Sequence, residues 1–376
     1  MTSAASGRAF VVVTGGGTGG HVYPALAVAD ELVRRGHDPA TVRFVGSARG
    51  LEATAVPAAG FGIDLLPGRG FRRSFAPRAI AQNLRTAWDT VVACTRAVGL
   101  LRRWRPTVVF GVGGYAAAPG VLAARLLRIP VVVHEQNAAP GVVNRVAVAL
   151  GARAAVSLPD TALRGSVLTG NPVRAAIVAA GSGARATEDL SVAGYVGVFG
   201  GSLGARRVND ATLDLADRWR DRADRTIRHV TGPRDYQRCV DERSKRSPVP
   251  GSLRYEQVAY EDDMPALYAR ADVVVTRAGA VTVAELAVSG TPAVVVPLPG
   301  APSDHQTANG RALAAAGAAV VVPDAECDGA RLAAELDALL ADSARLAAMR
   351  SAAATLARPD AAARVADLVE EAARGR

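Results

Sequence analysis

No apolar run in this chain approaches the roughly 20 residues that a membrane-spanning helix needs. Met1–Arg8 lacks the charged-then-apolar layout of a secretory signal. Cysteine is scarce: Cys94, Cys239 and Cys327 are odd in number and far apart. They form neither a disulfide framework nor a metal-ligand spacing, so a reducing cytoplasm is expected. No HExxH or Cys/His cluster offers a metal site, and no triad spacing suggests a hydrolase. Neither a metal nor a cofactor is expected. Aromatic residues make up only 5% of the chain, so Ala, Val and Leu must build the cores, which suits α/β packing. Lys245 is the only lysine, and the net charge of +9 is carried almost wholly by arginine. Composition bias accounts for the total.

At 376 residues, with 49% apolar and 21% charged residues, the chain reads as two domains of ordinary globular composition. Two glycine-rich turns, each between a strand and a helix, organise it. Thr14–His21 follows the apolar run Phe10–Val13, and Phe199–Ala205 follows Tyr195–Val198. Such turns let the backbone approach a ligand, and the helix start offers unpaired N–H groups to an anion. The first half alternates strand and helix: strands at Phe10–Val13, Thr41–Val45, Thr107–Phe110 and Val131–His134, and helices at Pro24–Arg35, Pro77–Trp104 and Ala116–Leu127. Short strands follow at 153–157 and 166–169. The second half repeats the theme with strands at Tyr195–Phe199, Thr226–Thr231, Leu253–Gln257, Val273–Thr276, Ala293–Pro297 and Ala319–Val322, then helices at Ala330–Ala357 and Ala361–Arg374. The expected class is α/β, two Rossmann-like domains with parallel sheets facing across a cleft. Their expected bounds are 1–172 and 173–360; a final helix, 361–376, is free to pack back on the first domain.

Gly15-x-Gly17-x-x-Gly20 matches a dinucleotide fingerprint, but that reading wants an acid about 20 residues on. The second strand ends Gly46-Ser47-Ala48-Arg49, with no acid at its tip, which disfavours NAD and leaves NADP a weak rival. His21 opens the helix after the turn. The helix dipole disfavours imidazolium, so a neutral ring there can take a proton from a hydroxyl. Glu135, in His134-Glu135-Gln136-Asn137, is the weaker candidate base. Gly200–Gly204 offers N–H groups and the Ser202 hydroxyl to a diphosphate. Arg277–Glu285 opens another helix with small residues, and Glu285 is placed to take ribose hydroxyls. The polar loop 302–309 ends a strand as well, and the Gln306 amide suits sugar hydroxyls.

Gly16–His21, Gly113-Gly114-Tyr115, His134–Asn137, Gly170-Asn171-Pro172-Val173-Arg174, Gly200–Ala205, Asp262-Asp263-Met264 and Arg277–Glu285 together resemble the MurG family within glycosyltransferase family 28, over about residues 10–325. The resemblance implies a GT-B fold and an inverting transfer of N-acetylglucosamine from UDP-N-acetylglucosamine to lipid I, giving lipid II for peptidoglycan. It implies that Ser202 holds diphosphate, the backbone near Glu261 meets uracil, Arg174 contacts the nucleotide, and Glu285 binds ribose. Ala280, Val281, Thr282, Val283 and Ala284 then form the helix start at the donor, with Gln306 on the sugar. Thr18, Gly19, Gly20 and Asn137 contribute from the first domain. His305 departs from a second Gln found in some members.

Between Arg69 and Arg105 nine arginines face one acid, Asp89, a local excess that points to an anionic partner. Phe75, Ile80, Leu84 and Trp88 sit among Arg72, Arg73, Arg78 and Arg85. Ile80, Leu84 and Trp88 share a helical face that meets either the domain core or a membrane surface; Phe75 is read as membrane-facing. The resulting expectation is a peripheral protein of the cytoplasmic face of the cell membrane, touching anionic inner-leaflet phospholipid. Other cell-wall or division proteins remain open as partners. Nucleic acid is not expected, since no recognisable module accompanies the charge. Another UDP-sugar enzyme of the same fold, such as a glycolipid glycosyltransferase or a UDP-sugar epimerase, and a non-catalytic nucleotide-sugar sensor are the remaining rivals.

Overall fold

The computed structural model describes residues 7–68, 77–137, 139–159, 161–182, 194–245, 253–301 and 304–375, without the side chains of 77–85 and 182. The chain divides into two units, Met1–Arg174 with Asp360–Arg376, and Ala175–Pro359.

The first unit runs β1 (Val11–Thr14), α1 (Gly19–Arg34), β2 (Val42–Ser47), α2 (Glu52–Ala58), β3 (Gly62–Leu66), α3 (Pro77–Trp104), β4 (Val108–Gly111), α4 (Ala118–Leu126), β5 (Val131–Glu135), α5 (Val142–Ala149), β6 (Arg153–Val156) and β7 (Val167–Leu168). Its seven strands are parallel, in the order β3-β2-β1-β4-β5-β6-β7. Every residue of β1, β4 and β5 is buried, as expected of strands covered on both faces.

The second unit comprises α6 (Ala175–Ser182), β8 (Tyr195–Phe199), α7 (Arg206–Arg218), β9 (Thr226–Val230), α8 (Tyr236–Ser244), β10 (Arg254–Val258), α9 (Met264–Arg270), β11 (Val273–Thr276), α10 (Ala280–Ser289), β12 (Ala293–Val295), α11 (His305–Ala315), β13 (Ala319–Val321), α12 (Gly329–Leu340) and α13 (Ser343–Leu356). Its parallel order is β10-β9-β8-β11-β12-β13. In both sheets the order reverses beside the first strand of the unit, and the crevice outside the strand ends at such a switch point is where open α/β sheets bind ligands.

The last helix, α14 (Ala361–Arg374), belongs to the first unit and packs on α1. It buries Ala361, Val365, Ala366, Leu368, Val369 and Ala372; each fully buried Val contributes about 1.5–3 kcal/mol. Arg35 adds hydrogen-bonded ion pairs to Asp367 at 2.7 Å and Glu370 at 3.0 Å.

Two elements depart from the sequence reading. α1 starts five residues before Pro24, because Thr18 takes the extended cap conformation and the glycines after it continue as helix. The single helix expected over 330–357 is two, because Asp342 accepts from the Arg345 amide at 2.8 Å and starts a new helix.

Candidate active site

In the first unit, the chain leaves β1 through Gly15–Thr18 into α1. The amides of Gly19 and Gly20 therefore open a helix with no partner inside it. His21 is the third residue of α1. Its ring lies against the turn after β4, where a Cβ on Gly113 or Gly114 would stand 3.4–3.6 Å from the imidazole. The Thr18 hydroxyl is 3.5 Å from His21 Nδ1. Loss of hydration holds the His21 pKa below the usual imidazole value, against the upward pull of the Glu135 and Glu52 carboxylates. Burial therefore favours the neutral ring, the form that accepts a proton.

The strand end at His134–Asn137 is a hydrogen-bonded network. Buried His134 meets the Gly170 carbonyl through Nε2 at 3.0 Å, and its Nδ1 takes a hydrogen bond from Gln136 Nε2 at 3.1 Å. Gln136 gives its other proton to the Val112 carbonyl at 3.0 Å. Burial lowers the His134 pKa to about 4. The Glu135 carboxylate accepts four hydrogen bonds: from the Asn137 amide and side chain, the Gly141 amide and Asn144 Nδ2, at 2.9–3.3 Å. Those donors occupy its lone pairs, so Glu135 holds the loop, and Asn137 with it. Arg174 lies over the Tyr23 ring of α1, 4.5 Å from its centroid.

One acid escaped the sequence reading. Glu52, at the start of α2, is 1% exposed, and its carboxylate accepts from the Gly17 amide at 2.7 Å and the Ser47 amide at 2.8 Å. An acid thus does stand at the tip of β2, but it faces backbone amides. Nothing in the spacing of the sequence announces it.

In the second unit, Gly200–Gly204 joins β8 to α7. Gly204 (φ +77°) lies so close to the Thr231 carbonyl that a Cβ there would overlap it. Asn209 Nδ2 holds that same carbonyl at 2.9 Å, and Asn209 Oδ1 meets buried His229 at 3.1 Å. Burial brings the His229 pKa down to about 3. Ser202 is part-exposed in the turn. On the other side of the switch point, Ala280–Ala284 form the start of α10 behind the Gly279 cap. Glu285 is buried in α10 and receives a hydrogen bond from the Tyr268 hydroxyl at 2.9 Å, which fixes its orientation. Arg277 braces the strand ends: it donates to the Val296 and Pro297 carbonyls and pairs with Asp324 at 2.6 Å. Tyr268 and Asp324 are distant in sequence, so these contacts are legible only in three dimensions.

Two expectations narrow. The Gln306 side-chain oxygen accepts from the Leu298 amide at 2.9 Å, so Gln306 faces a ligand as a donor through its NH₂. The Glu261 carboxylate is tied to Arg228 at 2.8 Å and to the Asp263 amide at 3.2 Å, leaving a backbone role for that position. Of the apolar stripe, Trp88 is 69% exposed and so does not face the core. Arg72, Arg73 and Phe75, and the side chains of Arg78, Ile80, Leu84 and Arg85, lie outside the described residues.

The glycosyltransferase family 28 N-terminal domain matches residues 11–156, and the family 28 C-terminal domain matches 195–365. An Alkalilimnicola ehrlichii protein named UDP-N-acetylglucosamine–N-acetylmuramyl-(pentapeptide) pyrophosphoryl-undecaprenol N-acetylglucosamine transferase is 42% identical over 372 residues, 97% of this chain and 99% of that protein. The crystal structure of Acinetobacter baumannii MurG superposes with a TM-score of 0.71 at 30% identity, covering 97% of this chain and 100% of that one. A UDP-N-acetylglucosamine 2-epimerase structure, 15% identical with a TM-score of 0.64 over 98% of this chain and 97% of its own, shares the fold. With both domains matched in order and a relative similar over nearly the whole length, the chain belongs to glycosyltransferase family 28 and has the two-sheet GT-B fold.

Proposed function

We propose that this protein transfers N-acetylglucosamine from UDP-N-acetylglucosamine to the muramoyl 4-hydroxyl of lipid I, undecaprenyl-diphosphate carrying muramoyl pentapeptide, with inversion, giving lipid II. The observation that carries this reading is the 42% identity over 97% of the chain to a transferase of that name.

The donor belongs to the second unit. The start of α7 and the Gly200–Gly204 turn, with Ser202, hold the diphosphate. Glu285, oriented by Tyr268, takes the ribose; the backbone at Glu261 meets uracil; Ala280–Ala284 line the nucleotide; Gln306 donates to a sugar hydroxyl. His305 is left without a role. Thr18, Gly19, Gly20, Asn137 and Arg174 are assigned to the donor by the family resemblance alone. In the reaction the muramoyl 4-oxygen attacks C1 of the sugar, the bond from C1 to the diphosphate oxygen breaks, and the electron pair leaves with UDP. The hydroxyl proton passes to neutral His21. Helix N-termini stabilise the charge growing on UDP, and holding both substrates in line supplies much of the remaining acceleration. Glu135, with its lone pairs engaged, positions the loop that carries Asn137.

The reading also places the protein on the cytoplasmic face of the cell membrane, against anionic phospholipid. Among the described residues no helix is long and apolar enough to cross a membrane. Trp88 and Val91 on α3, Leu126 on α4 and Val142 on α5 are exposed, at 69%, 55%, 72% and 65%. Exposed Arg128 and Arg145 accompany them. Apolar side chains with arginines suit the headgroup region of an anionic leaflet.

The test is UDP release from UDP-N-acetylglucosamine with and without a short-chain lipid I analogue. Release only with the analogue is expected. Release without it would make the protein an epimerase or hydrolase and overturn the reading.

A further inference from the structure

We propose that Glu52 is a built-in anion of the first glycine turn, a positioning residue that occupies the slot where a phosphate would otherwise sit and sets the turn from which His21 projects. The inference rests on the transferase reading for its kinetic consequences, but not for its structural ones.

Three glycines converge on this one carboxylate. A Cβ on Gly16 (φ +145°), Gly46 or Gly50 would overlap the Glu52 side chain, so the space in the loop is shaped to hold it. Its two oxygens are divided between two segments. Oε2 takes the Gly17 amide, within the turn after β1, and Oε1 takes the Ser47 amide, at the end of β2. Neither bond goes to the amides of α2, so compensation of its own helix dipole does not explain the geometry. Two backbone N–H groups from separate segments, aimed at one buried carboxylate, make an anion-binding site. Here the anion is covalently part of the chain. A free diphosphate would have to displace a carboxylate at 2.7–2.8 Å to reach the same amides, and like charge opposes it. The turn is therefore preset before any substrate arrives. The charge also bears on the base: Glu52 and Glu135 are the carboxylates that pull the His21 imidazole upward against burial.

Replacing the carboxylate by nothing should leave a slot for a small anion. The experiment compares the full-length wild type, Glu52→Ala and Glu52→Gln in sodium formate and in sodium chloride at equal ionic strength. In Glu52→Ala, about 100 mM formate should raise the melting temperature above its value in chloride, with no such difference in the wild type. This readout needs no activity, so it decides the slot even if the protein proves not to be a lipid I transferase. In the transferase assay Glu52→Ala should lose roughly 100-fold in kcat with the KM for UDP-N-acetylglucosamine within about twofold, and formate should restore about tenfold. Glu52→Gln fills the slot but sets an NH₂ against an amide donor, so it should be slow and insensitive to formate. No formate-specific rise in melting temperature, or a Glu52→Gln enzyme as fast as the wild type, would overturn the proposal. If Glu52→Ala does not fold, Glu52→Gln decides alone: a fall in kcat at unchanged donor KM supports it, and an equal loss of donor binding overturns it.

Discussion

The two units share one strand order and place a glycine turn at the same switch point, yet they close that turn by different means. In the first unit the turn closes on a side-chain anion, Glu52. In the second it closes on backbone: Gly204 lies against the Thr231 carbonyl, which Asn209 holds from α7. The acid of the second unit, Glu285, comes from across the switch point and is steered by a tyrosine hydroxyl. Topology thus fixes where each site lies, while a few side chains decide its chemistry. A turn already filled by a carboxylate presents a neutral imidazole. On the proposed function, the turn filled by nothing charged is the one that receives the diphosphate.

The sharpest way to break this division is at His21. His21→Ala should lower kcat by about 10²–10⁴-fold, while the affinity for UDP-N-acetylglucosamine, measured by calorimetry, changes less than about twofold. An equal loss of donor affinity would show that the first unit binds donor as much as it supplies base. Because burial holds the His21 pKa below the ordinary imidazole value, wild-type kcat should stay level through the pH at which an ordinary imidazole begins to protonate. It should fall only below that, as protonation removes the base. A decline already under way at pH 7 would refute a neutral, buried base.

Glu285 tests the other half. Glu285→Gln should raise the KM for UDP-N-acetylglucosamine roughly 10- to 100-fold, the scale of one charge-assisted bond pair. Tyr268→Phe removes only the hydroxyl that steers it and should cost about three- to tenfold in the same parameter, kcat being nearly unchanged. If Tyr268→Phe matched Glu285→Gln, the tyrosine would itself be a ligand contact.

The same contrast explains how much was readable beforehand. Strands Tyr195–Phe199 and Val273–Thr276 and helices Pro77–Trp104 and Ala361–Arg374 are bounded as the residue pattern indicates, because apolar runs and breakers coincide at their ends. β3 escaped because three of its five residues are exposed, and α2 because Pro57 lies inside it. The glycine turns were legible because their chemistry is local. Glu52, Tyr268 and the Arg277 brace were not, because each acts on residues that only the fold brings near. Gln306 stood out as an amide, but the loss of its acceptor to the Leu298 amide is a tertiary fact.

The buried histidines give a comparison in stability. Both should be neutral in the native state, with pKa values of about 4 for His134 and about 3 for His229. The unfolded chain binds these protons near pH 6.5, so native stability is complete above that value and is lost as pH falls through the window down to 4 and to 3. At pH 5 each histidine should cost about 2 kcal/mol relative to pH 7. His229→Gln, which can still accept from Tyr255 and donate to Asn209, should flatten the pH dependence of the urea midpoint between pH 7 and 5. An unchanged slope would mean that His229 does not carry it.

Trp88 belongs to the first unit but to neither turn. Its 69% exposure puts a large apolar ring in solvent on α3, a helix whose sequence also carries Arg78, Arg85, Arg96, Arg102 and Arg103. Seating such a ring in a headgroup region is worth roughly 1–2 kcal/mol, so Trp88→Ser should weaken co-sedimentation with anionic vesicles about tenfold. With a soluble short-chain acceptor, kcat and both KM values should stay within about twofold, because Trp88 is part of neither glycine turn. Unchanged vesicle binding would remove Trp88 from the membrane face and leave Leu126 and Val142, on α4 and α5, as the apolar contacts to test next.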